Sequence, residues 1–217
     1  MDRPTLIIAN RNYSSWSLRA WLALEATGVE FDEIVVPLGT PETEAAIRRW
    51  SPTGRVPSFR DGEIVLWDSL AICEHLAENY PAAALWPDDP VARAAARSVT
   101  AEMHSGFVPL RKHMPMNLRA AYPGQGRGKG VDEDVARMTE IWNDCRTRFG
   151  ADGDLLFGRF SIADAFFAPI VSRFRTYGVE LSGAAGDYME AVWALPAMQD
   201  WADKARAEQW SVDRYDR

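Results

Sequence analysis

The chain has 217 residues, 47% of them hydrophobic and 25% charged, with a formal net charge of -7. That is enough apolar material for one large or two small globular domains, and it excludes a disordered or fibrous chain. The acidic balance argues against nucleic acid as a partner and no run approaches the roughly 20 apolar residues of a membrane span, so a cytoplasmic protein with no membrane association is expected.

In chain order, a β-branched run at 5–9 predicts a strand. A helix follows over 15–27, carries Trp21, Leu22 and Leu24 on an apolar face, and closes at Gly28. Where the strand hands over to the helix lies Asn12-Tyr13-Ser14-Ser15-Trp16-Ser17-Leu18-Arg19, a cluster of hydroxyls. Unpaired N–H groups and the positive end of the helix dipole favour negative charge there, and a serine hydroxyl can donate to a bound thiolate. Strands over 31–36, 57–60 and 63–67 follow, the last two joined by an Asp61-Gly62 hairpin turn, with helices over 42–49 and 69–79.

Two motifs stand out in this half. Ser51-Pro52-Thr53-Gly54-Arg55-Val56-Pro57 is a turn-rich loop entering a strand. Pro57 there is either a trans residue starting an edge strand or a cis proline that leaves the backbone of Val56 free to pair with an extended peptide. Asp68-Ser69 opens the 69–79 helix. The pair is either plain capping or a carboxylate and hydroxyl suited to an amino acid's ammonium and carboxylate. Cys73 and Cys145 lie within helical patterns with no CxxC partner, as buried reduced thiols do.

Past the linker Trp86-Pro87-Asp88-Asp89-Pro90, strand signals vanish. A long helix over 92–113, bent near Gly106 and Pro109, is followed by helices over 132–149, 161–177, 188–195 and 197–208. The glycine-rich run 123–130 follows a helix and lacks the Lys-Ser or Lys-Thr of a phosphate loop, so it reads as a flexible basic loop. Met103, His104, Phe107, Val108, Arg111, Met114 and Met116 recur near helical spacing, as either a core stripe or a pocket wall. His75, His104 and His113 have no zinc spacing and no metal is expected. Arg173 and Arg175 interrupt an apolar helix, as ion pairs or as a carboxylate site.

Taken together the sequence resembles the cytosolic glutathione transferases along nearly its whole length. The resemblance rests on five matches in order: Tyr13-Ser14-Ser15-Trp16-Ser17, Gly54-Arg55-Val56-Pro57, Asp68-Ser69-Leu70-Ala71-Ile72, the linker near Leu85-Trp86-Pro87, and Ser161-Ile162-Ala163-Asp164 with Pro169 downstream. It implies an α/β plus all-α chain, with a thioredoxin-like βαβαββα domain over 1–81, a linker over 82–90 and an all-helical domain over 91–217. It further implies glutathione as co-substrate, bound by Arg55, Val56, a cis Pro57, Asp68 and Ser69.

The serine cluster is similar to that of the zeta class, which carries Ser-Ser-Cys-Ser; here Trp16 replaces the cysteine. Catalysis is expected from Ser14, with Ser15 next and Tyr13 third. Lowering a thiol from about 8.5 by about 1.5 to 2 units takes roughly 2 to 3 kcal/mol, which one charge-assisted hydrogen bond and a helix end supply. A small electrophile is expected in a pocket between the domains lined by His104, Phe107, Val108 and Arg111. The resemblance implies a homodimer and a transferase. The alternatives are a zeta-like maleylacetoacetate isomerase and a noncatalytic ligand-binding protein.

Overall fold

The computed structural model describes residues 3–213, 215 and 216. The first half runs β1 (Thr5–Ala9), α1 (Ser15–Glu25), β2 (Asp32–Val36), α2 (Thr43–Arg48), β3 (Ser58–Asp61), β4 (Ile64–Trp67) and α3 (Ser69–Asn79). The sheet order is β2-β1-β3-β4, with β1 parallel to β2 and antiparallel to β3, and with β3 antiparallel to β4. This is a thioredoxin-like domain. Side chains alternate across β1, so Leu6 and Ile8 pack toward α1 and α3, whereas Ile7 joins Val36 and Ile47 under α2. The strand is thereby buried on both faces, which is why it reads as a continuous apolar run.

The second half is helical: α4 (Pro90–Ser105), α5 (Val108–His113), α6 (Val131–Phe149), α7 (Ile162–Tyr177), α8 (Gly183–Ala194) and α9 (Pro196–Ala207). No helix among the described residues is long and apolar enough to cross a membrane. Helix α7 is its axis, almost wholly buried and packed against α1, α4 and α8. It starts on a capping box in which Asp164 accepts from the N–H and hydroxyl of Ser161 at 2.8 and 3.0 Å and from the N–H of Leu156 at 3.2 Å. The Ile162 N–H donates to Leu85 at 2.9 Å and ties this start to the linker.

Three expectations are corrected. The long helix over 92–113 is two helices: Phe107 is left-handed (φ 56°) between α4 and α5, and Pro109 sits in the first turn of α5. A Cβ at Gly106 would lie 2.7 Å from the Glu102 carbonyl, so the chain leaves the helix there rather than bending within it. Helix α8 begins at Gly183, five residues before the expected 188, because Gly183-Ala-Ala-Gly186 has no side chains large enough to show a period. The glycine-rich run is tethered at two points rather than wholly loose: a Cβ at Gly128 would clash with the His113 ring, and one at Gly126 would lie 2.7 Å from Met114, while the residue between them stays exposed.

Candidate active site

The loop between β1 and α1 is held from behind by the helical half. Glu208, just past α9, accepts from the backbone N–H groups of Arg11 and Asn12 at 2.7 and 3.2 Å, and Trp201 donates to the Arg11 carbonyl at 3.1 Å. The Arg11 guanidinium also pairs with Glu33. Asn12 donates its side-chain amide to Asn117 at 2.9 Å and accepts from the Arg119 N–H at 3.0 Å. These contacts anchor the middle of the loop that leads into α1.

Ser14 is the N-cap of α1: its Oγ accepts from the Ser17 N–H at 3.3 Å and lies 2.7 Å from the Ser17 hydroxyl. Ser17 in turn accepts from the Ala9 N–H at 3.1 Å, linking the helix start to the end of β1. Tyr13 is removed from the thiolate candidates. Its hydroxyl meets Asp216 at 2.8 Å and receives a bond from Arg119 at 2.8 Å, so its one proton is taken by the carboxylate.

A crevice of about 610 Å³ runs along the sheet edge and is lined by Trp16, Thr53, Arg55, Val56, Pro57, Trp67, Asp68 and Ser69. All five residues expected to bind glutathione therefore share one wall system. The Val56–Pro57 bond is cis. Asp68 caps α3 through Leu70 N–H (2.8 Å) with a left-handed φ of 72°, and the buried Ser69 hydroxyl has no hydrogen-bond partner among the described residues.

Trp16 and Val56 also line a second cavity of about 400 Å³, which reaches Ser14, Ser15, Val108, Arg111, Lys112 and Arg173. Two of the four residues expected in the electrophile pocket are there, Val108 and Arg111. The other two are not. Phe107 is buried in the core, turned inward by its left-handed backbone, and His104, on the far side of the helix break, faces Trp16 and Asp68 instead. Arg175 takes the ion-pair role, bonding Glu190 at 2.8 Å on the surface, while Arg173 is buried and donates to the carbonyls of Met114 and Pro169.

The sequence reading missed Arg19. Its guanidinium is buried between the rings of Trp16 (4.3 Å) and Phe166 (4.7 Å), and Nε and Nη1 have no hydrogen-bond partner among the described residues. Burial, with Arg173 and Arg111 nearby, lowers it to about 9. Arg111 stacks on Trp16 at 4.9 Å. Three mutually repelling arginines make this end of the site strongly electropositive, which favours an anion. The available signal was a charged residue within the apolar run Leu18 to Leu24.

The two cysteines stand apart from this chemistry. Both are buried, and burial pushes the Cys73 thiol well up and that of Cys145 to about 12. Neither is expected to react with iodoacetamide in the folded protein at neutral pH; rapid native-state alkylation detected by mass spectrometry would contradict this burial.

A thioredoxin-like domain with a cis-proline crevice faces a helical domain across an electropositive cavity. Residues 13–79 match the family model for the glutathione S-transferase N-terminal domain, and residues 128–206 that for the glutathione S-transferase C-terminal domain. The chain belongs to the glutathione S-transferase family, and with it to the transferases. It is 30% identical over 208 residues to the maleylacetoacetate isomerase of Pseudomonas aeruginosa, covering 91% of this chain and 88% of that one. It is 31% identical over 204 residues to that of Rattus norvegicus, covering 91% of each. Among solved structures, a glutathione transferase homologue from Burkholderia with bound glutathione superposes with a TM-score of 0.70 at 26% identity, covering 94% of this chain and 99% of that one.

Proposed function

We propose that this chain is a glutathione-dependent enzyme that ionises the thiol of glutathione at the start of α1 and presents it to a small carboxylate-bearing electrophile. The observation that carries the reading is the shared wall: Trp16 and Val56 belong both to the cis-proline crevice and to the cationic cavity, so a thiol projecting from the crevice past them would enter the cavity that Ser14 and Ser15 line. Glutathione would lie with its γ-glutamyl end on Asp68 and Ser69 and its cysteinyl backbone beside Val56. The relatives named maleylacetoacetate isomerase and the glutathione-bound neighbour support this reading.

The hydroxyl chain supplies a mechanism. Ser17 accepts the Ala9 N–H and lies 2.7 Å from the Ser14 hydroxyl; with Ser17 as the donor of that bond, the proton of Ser14 is left for the thiolate. Each bond in such a chain polarises the next. The thiolate then attacks the electrophilic carbon. If that carbon bears a leaving group, a thioether forms as the group departs. If it belongs to a conjugated cis alkene, the adduct rotates about the new single bond and expels the thiolate, regenerating glutathione.

Calorimetric titration with glutathione, with the ultraviolet thiolate band followed against pH, tests the first half of this proposal. Saturable binding with a lowered thiol pKa is expected; an unchanged pKa on the enzyme would refute the mechanism. Steady-state assays test the second half. Arg111→Ala is expected to raise KM for maleylacetone about tenfold while changing KM for a neutral aryl halide by less than about threefold. Equal changes for both substrates would remove Arg111 from carboxylate recognition.

A further inference from the structure

We propose that His104 is a positioning residue for the amine end of glutathione: reaching across from α4, it holds one edge of the Asp68 carboxylate toward the crevice. This rests on the reading that Asp68 and Ser69 receive the γ-glutamyl group. The two oxygens of Asp68 have different neighbours. Oδ1 accepts from the Leu70 N–H at 2.8 Å, and Oδ2 lies 3.4 Å from Nε2 of His104. The backbone of Asp68 is left-handed, a conformation that a non-glycine residue keeps only where its surroundings hold it. His104 is the part of those surroundings contributed by the other domain.

The imidazole is itself well placed for this role. It meets Trp16 of α1 edge-on, 5.3 Å between centroids and 82° between planes, and Phe166 of α7 at 5.9 Å. Its Nδ1 is buried without a hydrogen-bond partner among the described residues, so the polar contact of the ring is the one to Asp68. Arg111 of α5 donates to the carbonyls of His104 and Gly106 at 3.4 and 3.1 Å and steadies the end of α4.

The charge of the ring matters as much as its position. Burial holds its pKa below the ordinary histidine value, with Arg19 and Arg111 acting in the same direction and Asp68 against them. At neutral pH the ring is uncharged and rests Nε2 against Asp68 without cancelling its charge, which stays available to an ammonium group. Acid reverses this: a protonated His104 competes with the ammonium for the same carboxylate. Since the ligand's ammonium and the ring's second proton oppose one another, glutathione affinity falls as pH falls through the histidine range.

The test is a calorimetric titration of the full chain, as wild type, His104→Ala and His104→Gln, with glutathione and with glutaryl-Cys-Gly, the same tripeptide without its amine. At about pH 7, His104→Ala is expected to bind glutathione about 3- to 10-fold more weakly and the amine-free analogue within about twofold of wild type. Glutamine keeps an N–H donor but does not titrate. His104→Gln is therefore expected to match wild type at neutral pH and to lose less affinity than wild type at about pH 5, the remaining fall being the one the bound thiol's lowered pKa imposes on both. Equal binding of glutathione by wild type and His104→Ala, equal losses for both ligands, or an undiminished acid fall in His104→Gln overturns the role of His104. No saturable binding of glutathione to wild type overturns the γ-glutamyl reading itself, and the role of His104 with it.

Discussion

Replacing Ser14 with alanine is expected to lower kcat/KM about 10- to 100-fold while leaving glutathione affinity within about threefold. The asymmetry follows from where the hydroxyl sits. Glutathione would be gripped along the crevice by Val56, Asp68 and Ser69, none of which depends on the Ser14 hydroxyl, whereas the Ser14 proton would be directed at the sulfur. A hydrogen bond to a charged partner contributes about 1.5 to 3 kcal/mol, so the bound thiol should regain roughly 1 to 2 pKa units in the variant. The thiolate band measured against pH reads this directly. Ser14 is also a helix cap, and its loss should cost about 1 kcal/mol of stability, so thermal melts belong beside the kinetics. If Ser15→Ala shows the kinetic loss and Ser14→Ala does not, the donor is Ser15, whose hydroxyl faces the same cavity.

The second large effect is on stability. Asp164→Ala is expected to destabilise the fold by about 3 to 4 kcal/mol, because it leaves the buried N–H groups of Ser161 and Leu156 without an acceptor at the start of the most buried helix. For a chain of this length that corresponds to a melting-temperature drop of about 10 °C. The pH dependence is a sharper check. Burial raises the Asp164 carboxyl to about 6, although the bonds from Leu156 and Ser161 pull it down. A carboxyl whose folded pKa lies above its unfolded value, about 3.9, contributes stability that is present below that value and is lost as pH rises through about 6. The wild type's advantage over Asp164→Ala should therefore be larger at about pH 4 than at about pH 7. A constant or reversed difference in denaturant titrations at the two pH values would show that Asp164 is ionised throughout.

Much of this architecture was legible because it rests on neighbours in sequence. The 69–79 helix was read to the residue from Asp68, whose side chain caps it, and the β3–β4 hairpin from Asp61-Gly62, where Gly62 takes the left-handed φ a tight turn needs. Arg55, Val56, Pro57, Asp68 and Ser69, which line the cis-proline crevice, were all expected there because each lies in a short motif, whereas Trp16, Thr53 and Trp67 join them only through the fold. The electrophile pocket was less legible. Seven-residue spacing put His104 and Arg111 on one face of one helix, and the break at Gly106-Phe107 turned His104 against Trp16 and Asp68 and left Arg111 lining the other cavity.

Local patterning, caps and turn residues thus specify the order of elements, the class of fold and the serine cluster at a helix start. These interactions span a few residues and recur wherever the same short motif does. The contacts that make the cluster a site span far more of the chain: Glu208 binds the backbone of Arg11 from 197 residues away, and Asp216 occupies the Tyr13 hydroxyl from 203. Arg19 sits between rings contributed by two different domains. Apart from Trp16, three residues before Arg19, nothing within a helical turn of these residues encodes a partner. Which polar groups face the ligand, which are spent on holding the loop, and where the positive field collects follow from how the two halves of the chain pack together.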